Sequence, residues 1–130
     1  MFIDANIFIM AMIGKDRTSE KCRDYMHKIE NGEQQATTSV LVLDEVLHNI
    51  SEYRGTEIAI KFLKKISVFP NLEICEITLS EFNDSLKFVN DGLRPRDALH
   101  VAVMRANGVS TILSFDKDFD GVKEIERKEP

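Results

Sequence analysis

The run from Leu93 to Leu113, LRPRDALHVAVMRANGVSTIL, constrains the fold more than any other stretch. Arg94 and Pro95 interrupt what precedes them, and proline is tolerated in a helix's first turn, where its missing N–H costs nothing. Ala98, Leu99, Ala102, Val103 and Ala106 recur at helical spacing and make one apolar face. Asn107 and Gly108 predict the stop, because glycine takes the left-handed conformation without a steric penalty. Thr111 to Leu113 then reads as a short buried strand. Asp97 falls in the first helical turn, where free backbone N–H groups and the helix dipole favour an anion.

The remaining chain repeats this alternation. Phe2 and Ile3 predict a strand that ends at Asp4, and a helical segment opens near Asn6 and closes near Gly14. Thr18 to Glu30 predicts an amphipathic helix stopped by Asn31 and Gly32. Ala36 to Ser39 reads as a threonine-rich strand. Val40 to Ser51 is predicted helical, with Leu43, Val46, Leu47 and Ile50 toward the core, and a further helix covers Thr56 to Ile66. After Pro70, Leu72 to Ile77 alternates as a strand does, and Ser80 is expected to cap a helix reaching Asn90. A charged tail follows Leu113. Strands alternating with helices imply an α/β fold with three α/β/α layers around a parallel sheet of four to five short strands. No linker or repeat divides residues 1–130, so one domain is expected, and 43% hydrophobic residues suffice for one core.

In such sheets, functional groups collect at the carboxyl ends of the strands. Asp4 ends the first strand, Ser39 the second, and Ser114 to Asp116 follow the fourth. A helix returning to the sheet runs antiparallel to the strands, so Asp97 at its N-terminus shares that rim. Glu45 lies six residues past Ser39, about 9 Å of helical rise, within reach of the same edge. Each acid also has an ordinary explanation: Asp4 as a turn former, Asp97 as a dipole partner, Asp116 as a helix cap, Glu45 as a solvated helix residue. Periodicity does not choose between Asp44 and Glu45. The convergence of all four is what carries weight.

Two unit charges ~4 Å apart repel by about 4 kcal/mol at an effective dielectric of 20, so clustered carboxylates call for cations. Oxygen donors without a cysteine or histidine cluster suit Mg²⁺ or Mn²⁺ better than zinc, and such ions serve phosphodiester hydrolysis. The formal net charge of −5 argues against a general nucleic-acid coat, but setting aside the four acids leaves 18 acidic against 17 basic residues. A local basic patch therefore remains open. Arg94 and Arg96 flank the acid rim and are candidate contacts to a substrate phosphate, or neutralise neighbouring acids. His100 sits one turn after Asp97, where a structural role is favoured over a site role; His48 is read as a surface or capping residue, and His27 carries no signal. Lys61, Lys64 and Lys65 form a basic helix face.

Four segments, MFIDANIFI, TTSVLVLDEV, RPRDALHVAVM and ILSFDKDFD, resemble in order and spacing the PIN-domain ribonucleases, above all the small toxins of VapC type. The resemblance implies a metal-dependent endoribonuclease with Asp4, Glu45, Asp97 and Asp116 as the acidic quartet, and only it favours Glu45 over Asp44. It further implies a polar helper at Ser39, a homodimer, RNA as substrate and a cognate antitoxin protein as partner. Asn6 is a candidate supporting residue, and Asp120 a candidate fifth acid beside Asp118. Two other functions compete. A phosphatase of haloacid-dehalogenase type would use Asp4 as nucleophile, but Asn6 stands where that family usually has a second aspartate, and Glu45 and Asp97 go unexplained. A non-catalytic PIN-like interaction domain would keep the fold alone, with the apolar run Ile7 to Ile13 available for a dimer.

Cys22 and Cys75 lie in different predicted elements and form no CxxC, so reduced thiols and a cytoplasmic location are expected. No segment is long enough to span a membrane, and the acid at Asp4 is unlike a signal peptide's basic start.

Overall fold

A computed structural model describes residues 1–130, and its five strands form one parallel sheet. In chain order the elements are β1 (Phe2–Ile3), α1 (Ala5–Ile13), α2 (Arg17–Glu30), β2 (Ala36–Ser39), α3 (Val40–Arg54), α4 (Thr56–Ile66), β3 (Leu72–Cys75), α5 (Leu79–Asn90), α6 (Pro95–Ala106), β4 (Thr111–Leu113), a 3-10 turn (Lys117–Gly121) and β5 (Glu126–Lys128). The strand order is β3-β2-β1-β4-β5, and every neighbouring pair is parallel. Helices α1 to α4 pack among themselves and α5 packs on α6, giving two helical layers around the sheet. Twenty-four buried hydrophobic residues make one continuous core, with Phe2, Ile3, Ile112 and Leu113 at its centre.

Local signals explain most boundaries. Pro95 opens α6, and Gly108 beyond its end has φ +66°, a conformation that side-chain-bearing residues rarely adopt. Helix α6 is buried more widely than one stripe: His100 to Met104 are all buried, whereas Ala106, expected in the apolar face, is exposed. Packing against both α5 and the sheet requires this. On α3, Val42, Val46 and Ile50 are buried, while Leu47 lies exposed. The third strand stops at Cys75, short of Ile77, because Thr78 caps α5 in a reciprocal arrangement with Glu81; Ser80 is already inside the helix. Strand β5 was hidden in what reads as a charged tail. Its Glu-Arg-Lys sequence has no apolar alternation because it pairs only with β4, at the sheet's edge. Ile7 and Phe8 are fully buried, which withdraws the start of the apolar α1 run from any interface.

Register is what aligns the site. Phe2 pairs with both Thr37 and Ile112, and Ile3 with Leu113, so β1 and β4 end side by side. The Asp4 amide donates to the Leu113 carbonyl (3.2 Å), and the buried Thr38 hydroxyl donates to the Ile3 carbonyl (3.0 Å). Asp4 and Ser114 therefore leave the sheet as neighbours. Both cysteines are buried and unpaired. No helix is long and apolar enough to cross a membrane.

Candidate functional site

Asp4 is 6% exposed and held by three donors. Its Oδ1 accepts the Ala5 amide (2.7 Å), capping α1, and its Oδ2 accepts Asn6 Nδ2 (2.7 Å) and the Ser114 hydroxyl. The proton positions on Ser114 follow from its partners. Its oxygen already accepts Asn6 Nδ2 and the Asp116 amide, both at 3.0 Å, which leaves its own O–H for Asp4. Asn6 completes the loop by accepting the Phe115 amide (3.3 Å). Burial nevertheless holds the Asp4 carboxyl above its usual range, against the pull of Ser114, His100 and the Ala5 amide; Glu45 adds to the rise.

Three further acids reach the same edge. Glu45 projects from the second turn of α3 with its side chain 14% exposed, while Asp44 faces solvent. The helix geometry thus makes the choice that periodicity left open. Glu45 Oε2 meets His100 Nε2 at 3.2 Å, and Oε1 lies 3.9 Å from the Arg96 guanidinium. Asp97, in the first turn of α6, has a buried Oδ2 with no hydrogen-bond partner. Its carboxyl is pushed up to about 6, first by burial and then by the charge of Asp116, with Asp4 adding to it; His100 and Arg94 oppose the rise. Asp116 caps the 3-10 turn by accepting the Asp118 amide (2.9 Å), so its ordinary role holds alongside its place in the cluster.

The acids fall into two adjoining groups, Asp4–Glu45–His100 and Asp97–Asp116–Asp118, each with potential ligand atoms within 4.8 Å of one another. Mutual influence between Asp97 and Asp4 joins them. Glu45, Arg94, Pro95, Arg96 and Asp97 line an open hollow of about 500 Å³ beside them. Carboxylates this close, one with an unpartnered buried oxygen and a raised pKa, fit a bound divalent cation, whose charge would remove the repulsion.

Other expected residues stand apart. Ser39 is fully buried and caps α3 through the Val42 amide (3.3 Å), with no bond to any of the four acids. Asp120 turns away to a two-pronged pair with Arg127 (2.7 and 3.2 Å), and Arg127 in turn donates to the Ser114 carbonyl (2.9 Å). Arg94 pairs with Asp118 (3.3 Å). Asp118, noted only as an extra acid, joins the cluster in place of Asp120. Ser114 is placed at the rim by its position directly after an apolar strand, matching that of Asp4, but its bond to Asp4 carries no sequence signal. His100, for which a structural role is favoured, is 1% exposed as a core residue would be and is also bonded to Glu45. His27 and His48 are exposed.

The chain belongs to the PIN domain family, whose model matches residues 1–125. VapC20 of Mycobacterium tuberculosis, described as a Sarcin-Ricin loop cleaving toxin, has a similar structure at a TM-score of 0.77 and 17% identity, covering 94% of each chain. VapBC2 from Rickettsia felis, bound to a DNA fragment of its promoter, gives 0.70 at 16% identity over 98% of this chain and 96% of that one. A toxin–antitoxin complex from Klebsiella pneumoniae gives 0.67 at 18% identity over 96% and 94%. At these identities the likeness is one of fold. No curated protein matches the sequence itself.

Proposed function

We propose that residues 1–130 form a single nuclease domain acting as a divalent-metal-dependent endoribonuclease, the VapC-type toxin of a toxin–antitoxin pair. The observation that carries this reading is the acid cluster, assembled from the end of β1, α3, α6 and the segment after β4, with a buried oxygen of Asp97 left unpartnered within it. Asp4, Glu45, Asp97 and Asp116 hold Mg²⁺ or Mn²⁺, and Asp118 lies close enough to share it. When bound, the ion supplies an activated water and charge stabilisation for hydrolysis of an RNA phosphodiester. Asn6 and Ser114 orient Asp4, and Arg94 and Arg96 at the rim of the hollow receive backbone phosphates. Ser39 supports the site through the start of α3, and Asp120 supports it through Arg127, outside the ligand set.

Membership in the PIN family, together with neighbours solved as toxin–antitoxin complexes, supports a cognate antitoxin and a homodimer as the assembled state, working in the cytoplasm. The phosphatase alternative fits less well. An Asp4 whose two oxygens accept three hydrogen bonds at 6% exposure is poorly placed to attack phosphorus. Cleavage of structured and single-stranded RNA with Mn²⁺ or Mg²⁺ tests the proposal. Asp4→Asn and Asp97→Asn should lower the rate at least about a hundredfold with the fold intact. Activity within a few-fold of wild type, or no metal-dependent cleavage by the wild-type protein on any RNA, refutes it.

A further inference from the structure

We infer that His100 is a positioning residue for Glu45: its Nε2–H hydrogen bond fixes the glutamate rotamer and so preorganises the cation site. This rests on the reading of the acid cluster as a metal site. The two ring nitrogens of His100 sit in different surroundings. Nε2 faces Glu45 Oε2 at 3.2 Å, whereas Nδ1 is buried and has no partner at all. A proton on Nδ1 would make a buried donor with no acceptor, which is costly. The network therefore assigns the ring proton to Nε2, and His100 donates to Glu45.

The ring itself is enclosed by the core: His100 is 1% exposed, the next residue in α6, Val101, is fully buried, and the Phe2 ring lies 5.8 Å away at a 49° tilt. Glu45 has no comparable tether. Its carboxylate makes this one hydrogen bond, and its other contact, Arg96 at 3.9 Å, comes from a side chain that is 67% exposed. A free glutamate would have to surrender its side-chain torsions when a cation binds. The His100 bond imposes that ordering as the protein folds, directs Oε2 inward and leaves Oε1 for the hollow. Partners one step outside a metal's ligands commonly alter affinity 10–100-fold, about the size expected here.

The test measures Mn²⁺ affinity directly, by loss of the free-ion electron paramagnetic resonance signal, in wild type, His100→Phe, His100→Leu, His100→Gln, Glu45→Gln and the double variant His100→Phe/Glu45→Gln. Two donor-less replacements guard against one failing to fold, and melting in chelator checks each. The donor-less variants should bind Mn²⁺ roughly 10–100-fold more weakly. Glutamine, which can offer an amide donor near the Nε2 position, should restore affinity to within a few-fold. The double variant should bind no worse than Glu45→Gln, because both changes remove one effect. Wild-type affinity in both donor-less variants, or full additivity in the double variant, overturns the role of His100 while leaving the metal site standing. A ¹⁴N coupling to Mn²⁺ that disappears in His100→Phe also overturns it, because His100 would then be a ligand. If Glu45→Gln binds as wild type does, the cluster reading falls as well.

Discussion

Replacing Asp97 by asparagine should stabilise the metal-free protein, because the native carboxylate is repelled by its neighbours. The usual aspartate value of 3.8 rises to about 6 in the fold, driven by burial, Asp116 and Asp4. At ~1.4 kcal/mol per tenfold change in proton affinity, full ionisation would cost the fold about 3 kcal/mol. Asp97 is only half-buried, so solvent screening reduces this to roughly 1–2 kcal/mol. For a chain of this length each kcal/mol moves the melting temperature by about 3–5 °C, so the gain should be about 3–10 °C at pH 7.5 in chelator. The sign follows from the raised value. Between pH 4 and 6 the unfolded chain ionises Asp97 while the folded chain resists, and wild-type stability falls over that window. Below it both states are protonated and the advantage of asparagine should vanish. Thermal and urea unfolding across pH 4.5 to 8 provides the measurement. A variant no more stable than wild type at pH 7.5, or one whose gain persists undiminished at pH 4.5, refutes the electrostatic account.

Millimolar Mn²⁺ should raise the wild-type melting temperature, by an amount corresponding to about 2.7 kcal/mol at a hundred times the dissociation constant, and should leave Asp97→Asn almost unmoved; differential scanning calorimetry reads both. Ser114→Ala should cost about 1–3 kcal/mol by urea midpoint, since it strands the Asp116 amide and one of the two N–H groups of Asn6 Nδ2, the other keeping its bond to Asp4. The same change removes a bond that lowers the Asp4 pKa, so Mn²⁺ binding in this variant should weaken more steeply as pH falls.

The layered fold was legible because its signals are local. Hydrophobic periodicity, Pro95 at the start of α6 and Gly108 beyond its end act over a few residues. Asp4, Asp97 and Asp116 were legible for a related reason, since a strand's end and a returning helix's start must share an edge of a parallel sheet. Strand β5 escaped because an edge strand needs no apolar pattern, and the bond from Ser114 to Asp4 because a single hydroxyl carries no periodic signal.

By itself the sequence determined which segments become helices and strands, and that several acids would gather at one sheet edge. Tertiary structure alone turned Asp120 away to Arg127 and bonded His100 to Glu45, and it put Glu45 rather than Asp44 at the cluster, a choice that periodicity left open and only the family resemblance favoured. Secondary structure follows from interactions a few residues apart. Those other choices depend on side-chain directions across contacts separated by as many as 55 positions in the chain, which only the packed register of sheet and helices sets.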